Sequence, residues 1–525
     1  MASSYPLSGV RRPNIRPVTA AGLGALPAPA PLPGDAPPMR VLGFNDVHGQ
    51  VADPAGDPAG ADWRAERCRA WQAERQAGGD RPTLLLGAGD DHAGTWLDAG
   101  MTDPAASGDP VYRLYHAAGV DALTLGNHDL DWGKNRLIEQ LGQDAPPRVA
   151  TNLAAEDPLA GVCASGLIAE WSGLPWRVGI LGLLTDDQTR DPPRLLPLTE
   201  IMDDWIPNLL KFCHKIIILS HLGLIFDQNL LSRYSNPRIL ILGGHSHHRV
   251  PDAEGATHLE GYGQAGSGGD HLIVADWGPD ASAPAHIRLR SLKSVEASRP
   301  SPELLEAESH VRSDRDRWRA AFPDLHLPHD PGLRRALASD SPEQAYRAES
   351  PTLTLLAEAT RSVLPEAGEP GAWVCLDVRA WSGRPLTESL DFFGWHACLP
   401  YPDYAQMVDI PFTAVPALIT AMEQRMLLGP GFRSDAGRWQ GDHRLRWASR
   451  IDGRAVRVEG ITYQETPIEA LAGKNLKIIS SAYICQGFGG NDAYFRSAVM
   501  DLQPARPVDP DRPFRDILRD GLRAF

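Results

Sequence analysis

One feature narrows this chain's possible folds more than any other: apolar runs that end, one after another, in aspartate, histidine or asparagine. Residues 39–44 lead into Asn45-Asp46-Val47-His48-Gly49, 83–86 into Gly87-Ala88-Gly89-Asp90-Asp91-His92-Ala93-Gly94-Thr95, and 120–125 into Gly126-Asn127-His128-Asp129-Leu130-Asp131. Further on, 215–219 lead into Ser220-His221-Leu222-Gly223, and 238–242 into Gly243-Gly244-His245-Ser246-His247-His248. Runs of this length read as buried strands, as do 148–152 and 176–184. Helical segments lie between them, the clearest at 62–77 with Asp62 as candidate cap and Gly78-Gly79 as the stop. Strands alternating with helices predict an α/β layered core whose strand-end loops converge on one rim, where ligands bind such sheets.

A turn carrying a surface histidine would explain any one of these loops alone. The repetition needs another cause. The candidate ligands Asp46, His48, Asp90, Asn127, His221, His245 and His247 are hard oxygen and imidazole donors without a thiolate. That set suits a catalytic site for zinc, manganese, iron or a similar ion rather than a structural zinc cage. Asp46 and His48 point to the same side if the chain stays extended. Seven ligands exceed what one ion takes from protein, so two divalent ions, about 3.5 to 4 Å apart and bridged by a carboxylate, use them best.

Composition removes other classes. A formal net charge of -15 and the lack of any Lys/Arg-rich block leave no footprint for polymeric nucleic acid. A small anionic substrate stays compatible, because bound cations invert the local field. The apolar stretch 216–226 is broken by Ser220 and His221 and is too short to span a bilayer, so no transmembrane segment is expected. Arg11-Arg12 is followed by no sustained apolar region, so residues 1–38 read as a disordered Pro/Ala-rich tail and, with no clear signal peptide, the sequence alone points to the cytoplasm. Six scattered cysteines without Cys-x-x-Cys spacing read as buried thiols. Nothing in the sequence sets an oligomeric state.

The ordered motifs Asn45-Asp46-Val47-His48-Gly49, Gly89 to Thr95, Gly126 to Asp131, Ser220 to Gly223 and Gly244 to His247 resemble those of the calcineurin-like dinuclear metallophosphoesterases, specifically the 5′-nucleotidase family. Gln264-Ala265-Gly266-Ser267-Gly268-Gly269 is similar to that family's next segment. The resemblance implies a four-layer metallophosphoesterase-type β-sandwich flanked by helices over residues 39–293, then a helical linker at 294–350 and an α+β substrate-binding domain at 351–525. It implies that Asp46, His48, Asp90 and His247 hold one metal and that Asp90, Asn127, His221 and His245 hold the other, with Asp90 as the bridge. His128 and Asp131 fall on the family's catalytic pair, the carboxylate orienting an imidazole that stabilises charge on the phosphoryl group.

The likeness is weaker after residue 290, although landmarks persist. Arg384 stands where the family has a substrate-phosphate arginine, Leu399-Pro400-Tyr401-Pro402-Asp403 resembles Leu-Pro-Phe-x-Asn, and Gly489-Gly490-Asn491-Asp492-Ala493-Tyr494 resembles Gly-Gly-Asp-Gly-Tyr. By that likeness Tyr401 and either Tyr483 or Phe488 would sandwich a nucleobase, with Asp403 and Asn491 departing from the family residues at their positions. The reading that follows is a phosphoesterase for a small nucleotide, first a nucleoside 5′-monophosphate. Hydrolysis of 2′,3′-cyclic nucleotides or nucleotide sugars, a thiosulfohydrolase-like activity on a sulfur conjugate, and a catalytically silent binding module are the alternatives. Family members are often periplasmic or extracellular.

Overall fold

The computed structural model describes residues 12–524 apart from 53–55, 104, 106–107, 142–144, 187–190, 253–258, 281, 296–298, 323–324, 328–329, 348, 383–385, 387–388, 429–437, 453–454, 488–493, 496–503 and 511. The chain divides into two compact units, Met1–Arg317 and Trp318–Phe525.

The first unit contains strands β1 (Asn14–Val18), β2 (Met39–Phe44), β3 (Thr83–Gly87), β4 (Ala122–Leu123), β5 (Gly166–Glu170), β6 (Arg177–Leu183), β7 (Lys215–Ser220), β8 (Ile239–Gly243), β9 (Arg249–Val250), β10 (Tyr262–Ala265), β11 (His271–Trp277) and β12 (His286–Ser291). They form a seven-stranded sheet in the order β1-β5-β6-β7-β8-β10-β9 and a five-stranded sheet in the order β12-β11-β2-β3-β4. Val41, Leu84 and Leu86 from one sheet share a buried cluster with Val178, Ile217, Leu219, Leu240 and Leu242 from the other, so the sheets pack face to face. Period-2 alternation sends the next residues outward. Leu181, Ile216, Ile218 and Ile241 meet Met202, Trp205 and Leu209 of helix Leu198–Phe212. On the opposite side Phe44 stacks on Trp71 of helix Glu66–Ala77 and meets the edge of Tyr115 of helix Pro110–Ala118. The result is helix, sheet, sheet, helix, the four layers expected.

Within this frame β2, β3 and β4 run parallel, as do β6, β7 and β8. Strands buried on both faces read as continuous apolar runs, which is why these were legible. The run at 120–125 keeps only Ala122–Leu123 as strand, and 148–152 contributes isolated bridges at Arg148 and Val149. Helix Glu66–Ala77 starts after Ala65, which offers no side-chain cap, so Asp62 is not its cap.

The expected tail needs correction from residue 12 onward. Asn14–Val18 pairs antiparallel with β5, Leu23 is fully buried, and Trp176 Nε1 donates to the Pro37 carbonyl. Satisfying an open sheet edge and burying Val18 and Leu23 outweigh the disorder favoured by proline-rich composition. Residues 1–11 lie outside those described. The expected linker is also partly absorbed: beyond helix Pro302–Ala321, Leu325, Leu327, Leu337 and Ala345 sit in the second unit's core.

That second unit is built on a five-stranded mixed sheet, in the order Trp439–Gly441, Ala372–Asp377, Asn475–Ser481, Ala405–Pro411, Arg506–Pro507. Val374, Met407 and Ile479 face helices Pro351–Val363 and Phe514–Ala524, while Trp373, Val408 and Ile478 face Leu418, Ile419 and Met422. Among the described residues all six cysteines are buried thiols and none is joined in a disulfide, as expected. No helix of the described residues is long and apolar enough to cross a membrane.

Candidate metal centre

The strand-end loops of the two sheets do converge, by a backbone geometry that extended chain cannot supply. Asp46, His48, Asp90, His245 and His247 have φ of 48°, 51°, 55°, 70° and 56°. Each such L-residue costs roughly 1 to 3 kcal/mol, and strain of that kind persists only where neighbours over-determine it. Here they do. Asp46 N–H donates to the Gly89 carbonyl (2.9 Å), His48 N–H to Asp90 (3.0 Å) and Gly49 N–H to Asp91 (2.7 Å), stapling the loop after β2 to the loop after β3. His245 N–H donates to the Asp46 carboxylate at 3.0 Å, binding in the loop after β8. Asp46 and His48 thus share a side because of left-handed turns, not because the chain stays extended. Gly126 allows the closest approach: a Cβ there would lie 2.1 Å from Asp90 Oδ1.

One donor atom from each of Asp46, His48, Asp90 and His247 lies within 4.8 Å of the others. His247 Nε2 is 3.2 Å from Asp46 Oδ1 and 3.2 Å from His48 Nε2. His221 Nε2 is 3.1 Å from Asp90 Oδ2, and His245 Nδ1 is 3.0 Å from Asn127 Oδ1. The His245 ring in turn lies 5.3 Å from that of His221 by centroids, so the Asn127–His245 pair adjoins the group around Asp90.

The tautomers test whether a cation fits. His221 Nδ1 lies 2.6 Å from the Ala88 carbonyl and must donate to it, which in the neutral ring leaves a lone pair on Nε2 facing Asp90. That Nε2 is buried without a hydrogen-bond partner among the described residues. His48 repeats the arrangement, Nδ1 donating to the His92 carbonyl (3.1 Å) and Nε2 opposing His247 Nε2. Lone pairs facing lone pairs at about 3 Å are the separations that ligands about 2.0 to 2.2 Å from a common ion produce. The donor set fits divalent metal. With the polypeptide's own charges alone, burial opposes protonation of His221, but Asp90 and Asp46 outweigh it and lift the imidazole to about 10. Burial likewise opposes charge on Asp90, yet His221 and His128 hold its carboxyl well below the usual range.

Beside the cluster, His128 N–H donates to Asp90 Oδ1 (2.8 Å) while its ring turns away, Nδ1 meeting Asp131 Oδ2 at 2.9 Å. The ring lies edge-on to that of His48, centroids 5.3 Å apart. Burial works against the imidazolium, but with the polypeptide's own charges alone Asp131 and Asp90 raise it to about 10.

Residues 39–249 match the family model of calcineurin-like phosphoesterases. This segment is similar to that family. Bovine 5′-nucleotidase (Bos taurus) is 29% identical over 241 residues, covering 43% of this chain and 40% of that protein. The chain thus spans well under half the length of this curated relative. A proposed 5′-nucleotidase from Staphylococcus aureus, solved with α-ketoglutarate, superposes with a TM-score of 0.70 at 15% identity, covering 93% of this chain and 97% of that one. Sulfate thiohydrolase SoxB from Thermus thermophilus, solved with glycerol, gives 0.54 at 17% identity over 94% and 95%. The two solved structures share this chain's fold over most of its length. Calcineurin-like phosphoesterases use divalent metals, in keeping with the Asp/His cluster.

The first unit also holds supporting residues beyond the candidate ligands. Asn45 Nδ2 donates to Asp46 Oδ2 (2.5 Å) and to the Gly266 carbonyl (2.6 Å), while its Oδ1 accepts from Ala265 N–H (2.7 Å). Gln264 Nε2 donates to the Gly244 carbonyl at 2.7 Å. Asp129, read only as one carboxylate of a polar stretch, is fully buried under the ligand loops. Their signal was position: each sits beside or within a ligand motif.

In the second unit Tyr401 is 41% exposed and Tyr483 half-buried. Asp403 is half-buried at φ 36°, its Oδ1 accepting from Tyr404 N–H (2.7 Å) and Ala482 N–H (3.1 Å), its Oδ2 from Tyr483 N–H (3.2 Å). Its carboxylate joins the Tyr401 segment to the Tyr483 segment, and burial pushes its pKa up. Arg384, Phe488 and Asn491 lie outside the described residues.

Proposed function

We propose that the chain is a divalent-metal-dependent hydrolase of phosphoric esters that converts nucleoside 5′-monophosphates and water to nucleoside and phosphate. The observation that carries this reading is the cluster of opposed imidazole and carboxylate donors, buried except for His247, with the His128–Asp131 pair at its edge. Asp46, His48, Asp90 and His247 would hold one ion and Asp90, Asn127, His221 and His245 a second. When bound, such ions supply Lewis-acid polarisation of a phosphoryl oxygen and lower the pKa of water. His128 keeps its Nδ1 proton on Asp131 and offers an Nε2 proton to the phosphoryl oxygens as charge builds on them. Asp131 fixes the ring's orientation.

Tyr401, with Tyr483 or Phe488, would take the nucleobase, since stacking needs only a flat aromatic face. Arg384 would meet the phosphate and Asn491 the nucleoside. Asp403 supports the aromatic segments through their backbone. Metal analysis of the purified protein, with phosphate release measured over 5′-mononucleotides, 2′,3′-cyclic nucleotides and nucleotide sugars, tests the whole reading. Two ions per chain and fastest release from 5′-mononucleotides are expected. Metal-free protein that remains inactive after Mn2+ or Zn2+ is added would overturn it.

A further inference from the structure

Beneath the ligand loops lies a buried relay of three side chains outside the ligand set. Asp129 Oδ1 accepts from the N–H groups of Asp91 (3.0 Å) and His92 (3.3 Å), and Oδ2 from those of Asp90 (3.1 Å) and Gly126 (2.8 Å). One carboxylate thereby clamps the backbone around Asp90 to the backbone just before Asn127. The side chain of His92 completes the clamp, with Nδ1 2.9 Å from Asp129 Oδ1 and Nε2 2.9 Å from Asp109 Oδ2. Both nitrogens face carboxylate oxygens, so both donate and the ring is an imidazolium between two anions. Asp109 in turn accepts from Tyr112 N–H (2.9 Å) as the cap of helix Pro110–Ala118. Tyr112 packs edge-on against the His92 ring at 4.6 Å, and all three relay residues are almost wholly inaccessible.

A buried carboxylate that gathers backbone amides from two loops has alternative rotamers, each of which would release some of those amides. The His92 Nδ1–H removes that freedom, and Asp109 fixes the ring from its far side.

We propose that His92 is a positioning residue for the metal centre, acting through Asp129 to hold Asp90 and Asn127 at the spacing that binds metal. The inference rests on the metal-binding reading above. It assigns to this chain's own loop a second layer that orients oxygen ligands through their backbone, where outer-layer partners commonly act on the ligand side chain itself.

Mn2+ affinity of the chelator-stripped full chain, measured by calorimetric titration beside the apoprotein's Tm, tests it. His92→Phe, which keeps a ring but neither donor, should bind Mn2+ about 10- to 100-fold more weakly, as loss of an outer-layer partner does. His92→Asn keeps an N–H near the Nδ1 position and should stay within a few-fold of the parent. His92→Gln places its amide toward Asp109 instead and should weaken binding as His92→Phe does. A merely structural role would lower Tm in all three and leave the affinity of the folded protein unchanged. Equal affinities for His92→Asn and His92→Gln, or parent-like affinity in folded His92→Phe, overturn the inference. Should His92→Phe not fold, the Asn and Gln pair decides alone. Failure of the parent itself to bind Mn2+ would remove the metal-binding reading and this inference together.

Discussion

In Met1–Arg317 the candidate side chains are mostly buried, bent into left-handed backbone and pinned by hydrogen bonds. In Trp318–Phe525, by contrast, Tyr401 is 41% exposed and Asp403 is committed to backbone amides. Metal coordination needs several donor atoms at fixed separations, so each residue type and each turn is constrained, and strain is tolerated to meet the geometry. Recognition of a planar base needs a flat apolar face, which tyrosine or phenylalanine from several positions can supply. Chemistry with one geometric solution leaves a motif, and chemistry with many leaves a composition.

The largest expected effect tests the constrained side. Asp90→Ala removes the carboxylate proposed to serve both ions, so metal content should fall at both positions and phosphate release should drop to background. Elemental analysis finding two ions per chain in this variant would break the assignment of Asp90 as the bridge. Next comes the pair at its edge. His128→Asn should retain its metal and lose about 10²- to 10³-fold in kcat, the loss seen for one oxyanion donor. Asp131→Asn should lose less, because it disturbs only the ring's orientation, and the double variant should be little worse than His128→Asn. Multiplicative losses, or metal depletion in His128→Asn, would show that the two do not act as one unit.

On the permissive side, Tyr401→Ala should raise KM for a nucleotide about tenfold, in line with roughly 1 to 3 kcal/mol for a stacked base. KM for p-nitrophenyl phosphate, which has no nucleobase, should barely move. Parallel changes for both substrates would mean that Tyr401 serves folding, and the contrast between the units would lose its functional half.

The smallest effect concerns a buried acid behind the centre. Asp227 accepts from Ser220 Oγ (2.5 Å) and Tyr262 OH (3.1 Å), yet burial outweighs both and pushes its carboxyl up to about 7. The folded protein then holds a proton that the unfolded chain releases between its ordinary value of 3.8 and about 7, so this group's contribution to stability falls as pH rises through that window. Asp227→Asn cannot ionise and should lose that part of the pH dependence. Urea midpoints at pH 5 and pH 8 check it: the parent's should drop more than the variant's. Identical drops would show that Asp227 titrates alike in both states.

Much of the first unit was legible because its strands are covered on both faces and so read as unbroken apolar runs. The Asp, Asn and His residues at their ends lie on loops that the two sheets bring together. Asn45 and Asp129 were not legible in their roles, since an asparagine or aspartate beside a ligand looks the same whether it binds metal, caps a turn or clamps a loop. His92 was equally silent, because its partners Asp109 and Asp129 lie 17 and 37 residues away. Residues 12–38 were misread for a related reason: their composition is that of a disordered segment, and only the open edge of β5 gives Asn14–Val18 a partner.

By itself the sequence determined the α/β layering, the order of the ligand loops and the donor types, because hydrophobic periodicity and ligand chemistry are local properties of the chain. Only the tertiary structure decided which atoms face one another: Nε2 of His221 toward Asp90, the ring of His128 turned to Asp131, and Asp129 gathering the amides of two loops. Those depend on side-chain torsions and left-handed turns held by partners distant in sequence, so no segment carries enough local preference to fix them. They arise when the two sheets close on each other.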